Sequence, residues 1–127
     1  MATLRPGGLL AYRVLVVDDD LDMREALSWS LLRAGYDVVT ADGGASALSA
    51  AREGAFAVVV SDYRMPGMDG CETITALKLL HPAMRAIIAT GYSSPTYEAE
   101  CRARGADRVL RKPFDFAELL QAVEVLL

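Results

Sequence analysis

Three aspartates in a row, Asp18-Asp19-Asp20, follow the apolar run Leu15-Val16-Val17. Asp62 follows Val58-Val59-Val60-Ser61, Thr90 follows Ile87-Ile88-Ala89, and Lys112 follows Val109-Leu110-Arg111. If Asp18, Asp19 and Asp62 converge, each carboxylate pair at ~4 Å costs on the order of 4 kcal/mol at an effective dielectric of about 20. A hard divalent cation relieves that repulsion. Oxygen ligands with retained waters suit Mg2+, with Mn2+ as the alternative. A hydroxyl from Thr90 and an ammonium from Lys112 suit the oxygens of a phosphoryl group on Asp62. One Asp after a strand is an ordinary helix cap, but three exceed what a cap requires. A lone Thr or Lys-Pro carries little information. The signal is that all four stations end short apolar runs.

Those runs must position the chemistry. Apolar runs of this length separated by helical stretches read as parallel strands buried on both faces. The spacing predicts strands at about 13–17, 37–41, 57–61, 85–89 and 108–111. Between them, helices are expected from the Asp20-Leu21-Asp22 cap to about Ala34, over 45–53, 71–80 and roughly 95–104. His81-Pro82 ends the third helix, with His81 as its C-cap, and Asp115 caps a fifth that reaches Leu127. Right-handed crossovers then place helices on both faces of one parallel sheet. In such sheets the ligand site lies outside the carboxyl ends of the strands, where all four stations fall. In Met65-Pro66-Gly67-Met68-Asp69-Gly70, Pro and two Gly fold the backbone over the strand end. That turn could bring the Arg64 carbonyl into a metal shell.

Composition narrows the class. A chain of 127 residues with 53% apolar and 24% charged residues reads as one globular domain, not a disordered segment. Arg5-Pro6-Gly7-Gly8 marks residues 1–11 as a flexible leader to a domain over 12–127. A net charge of −4 without a basic run gives no footprint for direct nucleic-acid binding. The apolar runs are too short to span a membrane, and no signal peptide opens the chain. Two isolated cysteines, Cys71 and Cys101, suggest no disulfide framework, and a cytoplasmic location is expected.

Taken together, Asp18-Asp19, Asp62 with Met65 to Gly70, Thr90 and Lys112-Pro113-Phe114 resemble the signature of the response-regulator receiver domain of two-component signalling. The resemblance covers about residues 12–127. It implies a flavodoxin-like (βα)5 fold with strand order 2-1-3-4-5. It implies that Asp62 accepts a phosphoryl group from a histidine kinase or phosphotransfer protein. Asp19, Asp62 and the Arg64 carbonyl would hold Mg2+, with Asp18 acting largely through water, and Thr90 and Lys112 would contact the phosphoryl oxygens. The domain would be a regulatory phosphoacceptor, not an enzyme. It would shift the surface of its fourth helix, fifth strand and fifth helix to control a C-terminal output domain, a partner or a homodimer.

Some residues depart from that signature or lie outside it. Val109 stands where many receivers have an aromatic residue coupled to the threonine. Arg64 and Tyr92 are expected to overhang the phosphoryl site and slow its hydrolysis. Trp29, off the apolar face of the first helix, is expected to pack on Leu9, Leu10 or the final helix, and a docking role is the alternative. Phe114 and Phe116 are expected to anchor the last helix. The competing readings are a receiver-like interaction module that works without phosphorylation, a small Mg2+-dependent aspartyl-phosphate hydrolase and a flavin-binding domain. The hydrolase leaves Asp62 to Gly70 unexplained. The flavin reading lacks a Ser/Thr/Gly-rich loop after the first strand.

Overall fold

Six strands and five helices make up the fold in a computed structural model that describes residues 2–4, 10–92 and 94–127. They run β1 (Ala2–Leu4), β2 (Leu10–Val17), α1 (Leu21–Arg33), β3 (Asp37–Ala41), α2 (Gly44–Glu53), β4 (Val58–Asp62), α3 (Gly70–Leu80), β5 (Arg85–Thr90), α4 (Pro95–Ala103), β6 (Arg108–Arg111) and α5 (Phe116–Leu126). The parallel strands lie in the order β3-β2-β4-β5-β6. Counting the parallel strands alone, that is the expected 2-1-3-4-5.

Side-chain alternation along the strands builds two cores. On one face Leu15, Val17, Val59, Ala86 and Ile88 pack with Ala47 and Ala51 of α2, Ile74 and Leu77 of α3, and Cys101 of α4. On the other, Val14, Val16, Val58, Val60 and Ile87 meet Leu27 and Leu31 of α1 and Leu119, Ala122 and Val123 of α5. Each central strand is therefore apolar on both faces through its middle, as a sheet covered on both sides requires.

Helix starts follow their caps. The Asp20 carboxylate accepts from the backbone N–H groups of Asp22 and Met23, and Asp115 accepts from Glu118 N–H at 2.8 Å. Asp69 and Glu72 form a reciprocal capping box on α3, in addition to the expected caps. His81 caps α3 as expected, and its Nε2 lies 2.6 Å from the carbonyl oxygen of Ala51, joining α3 to α2.

The structure departs from expectation in three places. Within the expected leader, Ala2–Leu4 pair antiparallel with Leu10–Tyr12, so β2 starts at Leu10. Backbone pairing there satisfies donors and acceptors that a loose leader would leave to water. Met1 and residues 5–9 lie outside the described residues. Trp29 is 57% exposed on α1, and the Arg33 guanidinium covers its ring at 4.6 Å; packing on Leu9 or the Leu10 side chain falls outside the described residues. Phe114 does pack on the second core, but Phe116, at the first turn of α5, is exposed.

Candidate functional site

Strand register brings the four stations together. Val17 is opposite Ser61, so Asp18 and Asp62 are the next residues on adjacent strands. Asp62 is opposite Ala89, and Thr90 opposite Arg111, so Thr90 and Lys112 each lie one residue further along the same edge. The backbone closes this edge. Tyr63 N–H donates to Ala89 O at 3.0 Å and Lys112 N–H to Thr90 O at 2.8 Å.

Asp18, Asp19 and Asp62 each place a carboxylate oxygen within 4.8 Å of the others. The three differ in environment. Asp18 is buried, Asp62 half-buried and Asp19 exposed. Burial raises the Asp18 pKa above its ordinary value, and the Asp62 and Asp19 charges add to the rise. The Asp20 N–H bonded to Asp18 Oδ1 at 2.9 Å and the Lys112 ammonium oppose it. Lys112 Nζ lies 3.0 Å from Asp62 Oδ1 and 3.7 Å from Asp18 Oδ2. A single ammonium thus bridges two of three carboxylates and leaves a net negative pocket open to solvent at Asp19. Hard oxygen donors in that arrangement fit a divalent cation.

The loop after β4 is shaped by two glycines. Gly67 adopts φ +79, a conformation that side-chain-bearing residues rarely take. Gly70 passes so close to β4 that a Cβ there would collide with the Asp62 carbonyl oxygen and lie 2.9 Å from Tyr63 Cα. Its N–H donates to Tyr63 O at 2.7 Å. The loop is thereby drawn back over the strand that ends in Asp62. Arg64 is exposed and, with Met65, Pro66 and Asp69, lines a shallow surface depression.

Thr90 is buried. Its hydroxyl donates to Tyr92 O at 2.9 Å and accepts from Tyr92 N–H at 3.1 Å, so it is engaged within its own loop. The Tyr92 side chain does not stand alone over the pocket, since its ring meets Tyr97 of α4 edge-on at 5.4 Å. Sequence reasoning missed Tyr97. Its ring also meets Tyr63, the residue after Asp62, edge-on at 5.1 Å, and it packs in the same core cluster as Val109. The aromatic group beside Thr90 thus comes from α4, not from β6. The Tyr97 hydroxyl is buried and makes no well-formed hydrogen bond among the described residues, although Thr90 and Cys101 are its neighbours. Burial and Cys101 push its pKa up, against a smaller pull from Thr90. No spacing in the sequence marks this residue.

Fold and site together define a class: a doubly wound α/β domain with a carboxylate trio and a lysine at the carboxyl edge of its sheet. The family model described as "Response regulator receiver domain" matches residues 14–124, and the chain belongs to that family. Receiver domains are the phosphorylation switches of two-component response regulators, regulatory phosphoacceptors with a Mg2+-binding acidic pocket. Response regulator protein FleR of Pseudomonas aeruginosa is 37% identical over 90% of this chain and 24% of its own length. Transcriptional regulatory protein ZraR of Escherichia coli K12 is 40% identical over 87% and 25%. PrrA of Mycobacterium tuberculosis is 38% identical over 94% and 52%. The chain thus spans about a quarter to a half of the length of these relatives. Among solved structures, chemotaxis protein CheY4 of Vibrio cholerae aligns with a TM-score of 0.88 at 35% identity, covering 92% of this chain and 99% of that one. TrrA of Thermotoga maritima, in complex with Mg2+ and BeF, gives 0.82 at 34% identity over 91% and 99%. No described helix is long and apolar enough to cross a membrane.

Proposed function

We propose that Asp62 accepts a phosphoryl group from the phosphohistidine of a histidine kinase or phosphotransfer protein. The observation that carries this is the position of Asp62. It stands at a strand end within 4.8 Å of two other carboxylates and 3.0 Å from the Lys112 ammonium. Asp19, Asp62 and the Arg64 carbonyl would hold Mg2+, with Asp18 acting largely through water. The cation would supply charge neutralisation for the attacking carboxylate and the transferring group. Asp62 then attacks phosphorus in line, a transfer governed by positioning and charge stabilisation. Lys112, already hydrogen-bonded to Asp62, follows the phosphoryl oxygens as a point charge. Thr90 must exchange its bonds to Tyr92 for one to a phosphoryl oxygen. That exchange draws in the loop before α4 and biases the α4–β6–α5 surface toward a second state. A cytoplasmic output domain or partner, or a second copy of the chain, reads that surface.

Intact mass after incubation with acetyl phosphate tests the reading. One phosphoryl adduct should form with Mg2+ and none with EDTA. A folded chain that stays unmodified in donor excess would instead be an interaction module that works without phosphorylation.

Mg2+ alone should stabilise the fold, since it binds a pocket that only the folded chain assembles. At ten times the dissociation constant the gain is about 1.4 kcal/mol. For a domain of this size that raises Tm by roughly 5 °C. Calorimetry with Mg2+ and with EDTA reads the difference, and equal melting temperatures would count against the assigned ligands.

Trp29 offers a separate test of docking. It is exposed on α1, and Leu21 and Leu32 beside it are also exposed. If this face meets the phosphodonor protein, Trp29→Ala should slow transfer from that protein about tenfold or more. Uptake from acetyl phosphate, which needs no docking, should be unchanged. Equal slowing with both donors would place the effect in the fold instead.

A further inference from the structure

Cys71 of α3 and Cys101 of α4 are both buried, and their sulfurs lie 3.4 Å apart, with Cys71 S–H donating to Cys101. Thirty residues separate them in the chain, so the contact exists only in the fold. The two helices are held very differently. α3 buries Gly70, Cys71, Thr73, Ile74 and Leu77, whereas Cys101 is the one buried residue of α4. A helix with few buried side chains opens locally at low free energy, and lifting α4 uncovers its own thiol. Tyr97 stands one turn before Cys101 on the same helix, with its ring between Tyr63 and Tyr92. The thiol pair therefore sits beneath the element that contacts the residues following Asp62 and Thr90.

We propose that Cys71 and Cys101 form a reversible intramolecular disulfide, made by a peroxide when α4 opens, that pins α4 to α3. In the open state the Cys101 thiolate attacks a peroxide oxygen. The O–O bond breaks, one water leaves, and Cys101 carries a sulfenic acid. Opening uncovers Cys71 as well, and as α4 returns, before the pair is buried again, the Cys71 thiolate attacks that sulfur. The S–O bond breaks and the departing hydroxide leaves as a second water with the proton that Cys71 gave up. Two thiols are thus oxidised by two electrons and one hydrogen peroxide is reduced to two waters. In the closed state both thiols are buried away from peroxide, and burial and the bond to Cys101 push the Cys71 thiol up to about 12, which makes it a poor nucleophile. Peroxide sensing is therefore gated by the motion of α4.

Hydrogen peroxide is the probe, and intact mass with peptide mapping is the readout. The native chain should become a monomer lighter by two hydrogens, with a Cys71–Cys101 linked peptide that dithiothreitol reverses. Hydrogen exchange at α4 amides should slow about tenfold or more in the oxidised chain. Cys71→Ser should stop at a Cys101 sulfenic acid that dimedone traps, and Cys71→Ala serves where the serine variant does not fold. Separate sulfinic or sulfonic adducts, disulfide-linked dimers, or inertness while urea-unfolded chain oxidises fully would each overturn the proposal. A consequence for signalling rests on the phosphoacceptor reading. With α4 pinned, uptake from acetyl phosphate should fall several-fold in the oxidised wild type and not in peroxide-treated Cys71→Ala. If the disulfide forms but uptake is unchanged, the regulatory consequence fails. If no form of the chain takes up phosphate, the phosphoacceptor reading fails and the disulfide chemistry still stands or falls on its own readout.

Discussion

Asp62→Asn should take up no phosphoryl group from acetyl phosphate, with Mg2+ present and donor in excess, while the wild type should gain one. The amide has nearly the size of the carboxylate but lacks the nucleophilic oxygen that must bond to phosphorus. It also removes one of three carboxylates that lie within 4.8 Å of one another. Mg2+ affinity should fall at least tenfold, and the Mg2+-induced rise in Tm should shrink with it. The fold should survive, because Lys112 retains Asp18 at 3.7 Å and Asn can occupy the same rotamer. Intact mass and a Mg2+ titration followed by melting temperature check both parts. An adduct at the wild-type level would reassign the acceptor, with Asp18 and Asp19 the next candidates. An unchanged Mg2+ response would remove Asp62 from the ligand set.

Gly70→Ala should be the most damaging substitution outside the charged groups. A methyl at this position would overlap the Asp62 carbonyl oxygen and lie 2.9 Å from both Tyr63 Cα and Ile88 Cδ1. Two of those atoms are backbone and cannot rotate away. Such overpacking costs about 3 kcal/mol, against a gain of about 1 kcal/mol from replacing Gly with Ala in a helix. The net loss of about 2 kcal/mol lowers Tm by roughly 6–10 °C. Relief of the clash must push β4 and the loop apart, which displaces Asp62 from Lys112. Misplacement of a reacting group by about 1 Å can cost on the order of a hundredfold in rate, so uptake should fall ten- to a hundredfold. Melting curves and the rate of adduct formation read the two effects separately. Wild-type values in both would mean that the loop accommodates the methyl without moving Asp62.

Much of this protein is legible in its amino-acid order. Apolar runs ending in Asp18, Asp62, Thr90 and Lys112 are local patterns, set by the alternation of buried strands and capped helices. Parallel strands then force those ends to one edge. The Asp20 and Asp115 caps and the strands at 37–41 and 108–111 are readable for the same reason, because each depends on a few neighbouring residues. The family resemblance supplies the order 2-1-3-4-5, which periodicity cannot reach.

Tertiary structure decided what depends on partners distant in the chain. Trp29 lies on the outer face of α1 under Arg33, although its apolar surface suggested packing. Amphipathic spacing says which face is apolar, not what covers its margin. Gly70 reads as a turn residue in sequence, yet its constraint is the approach of α3 to the end of β4. Val109 indicated only that an aromatic group was missing. Its counterpart, Tyr97, arrives from helix α4 instead of strand β6, and only packing around Thr90 brings it there. The Cys71–Cys101 contact likewise needs α3 and α4 to lie side by side on one face. The sequence by itself determined which residue types reach the carboxyl edge of the sheet, because strand periodicity and capping act over a few residues. The distances among those residues, and which side chains steady them, were decided by packing between segments tens of residues apart, which local pattern does not encode.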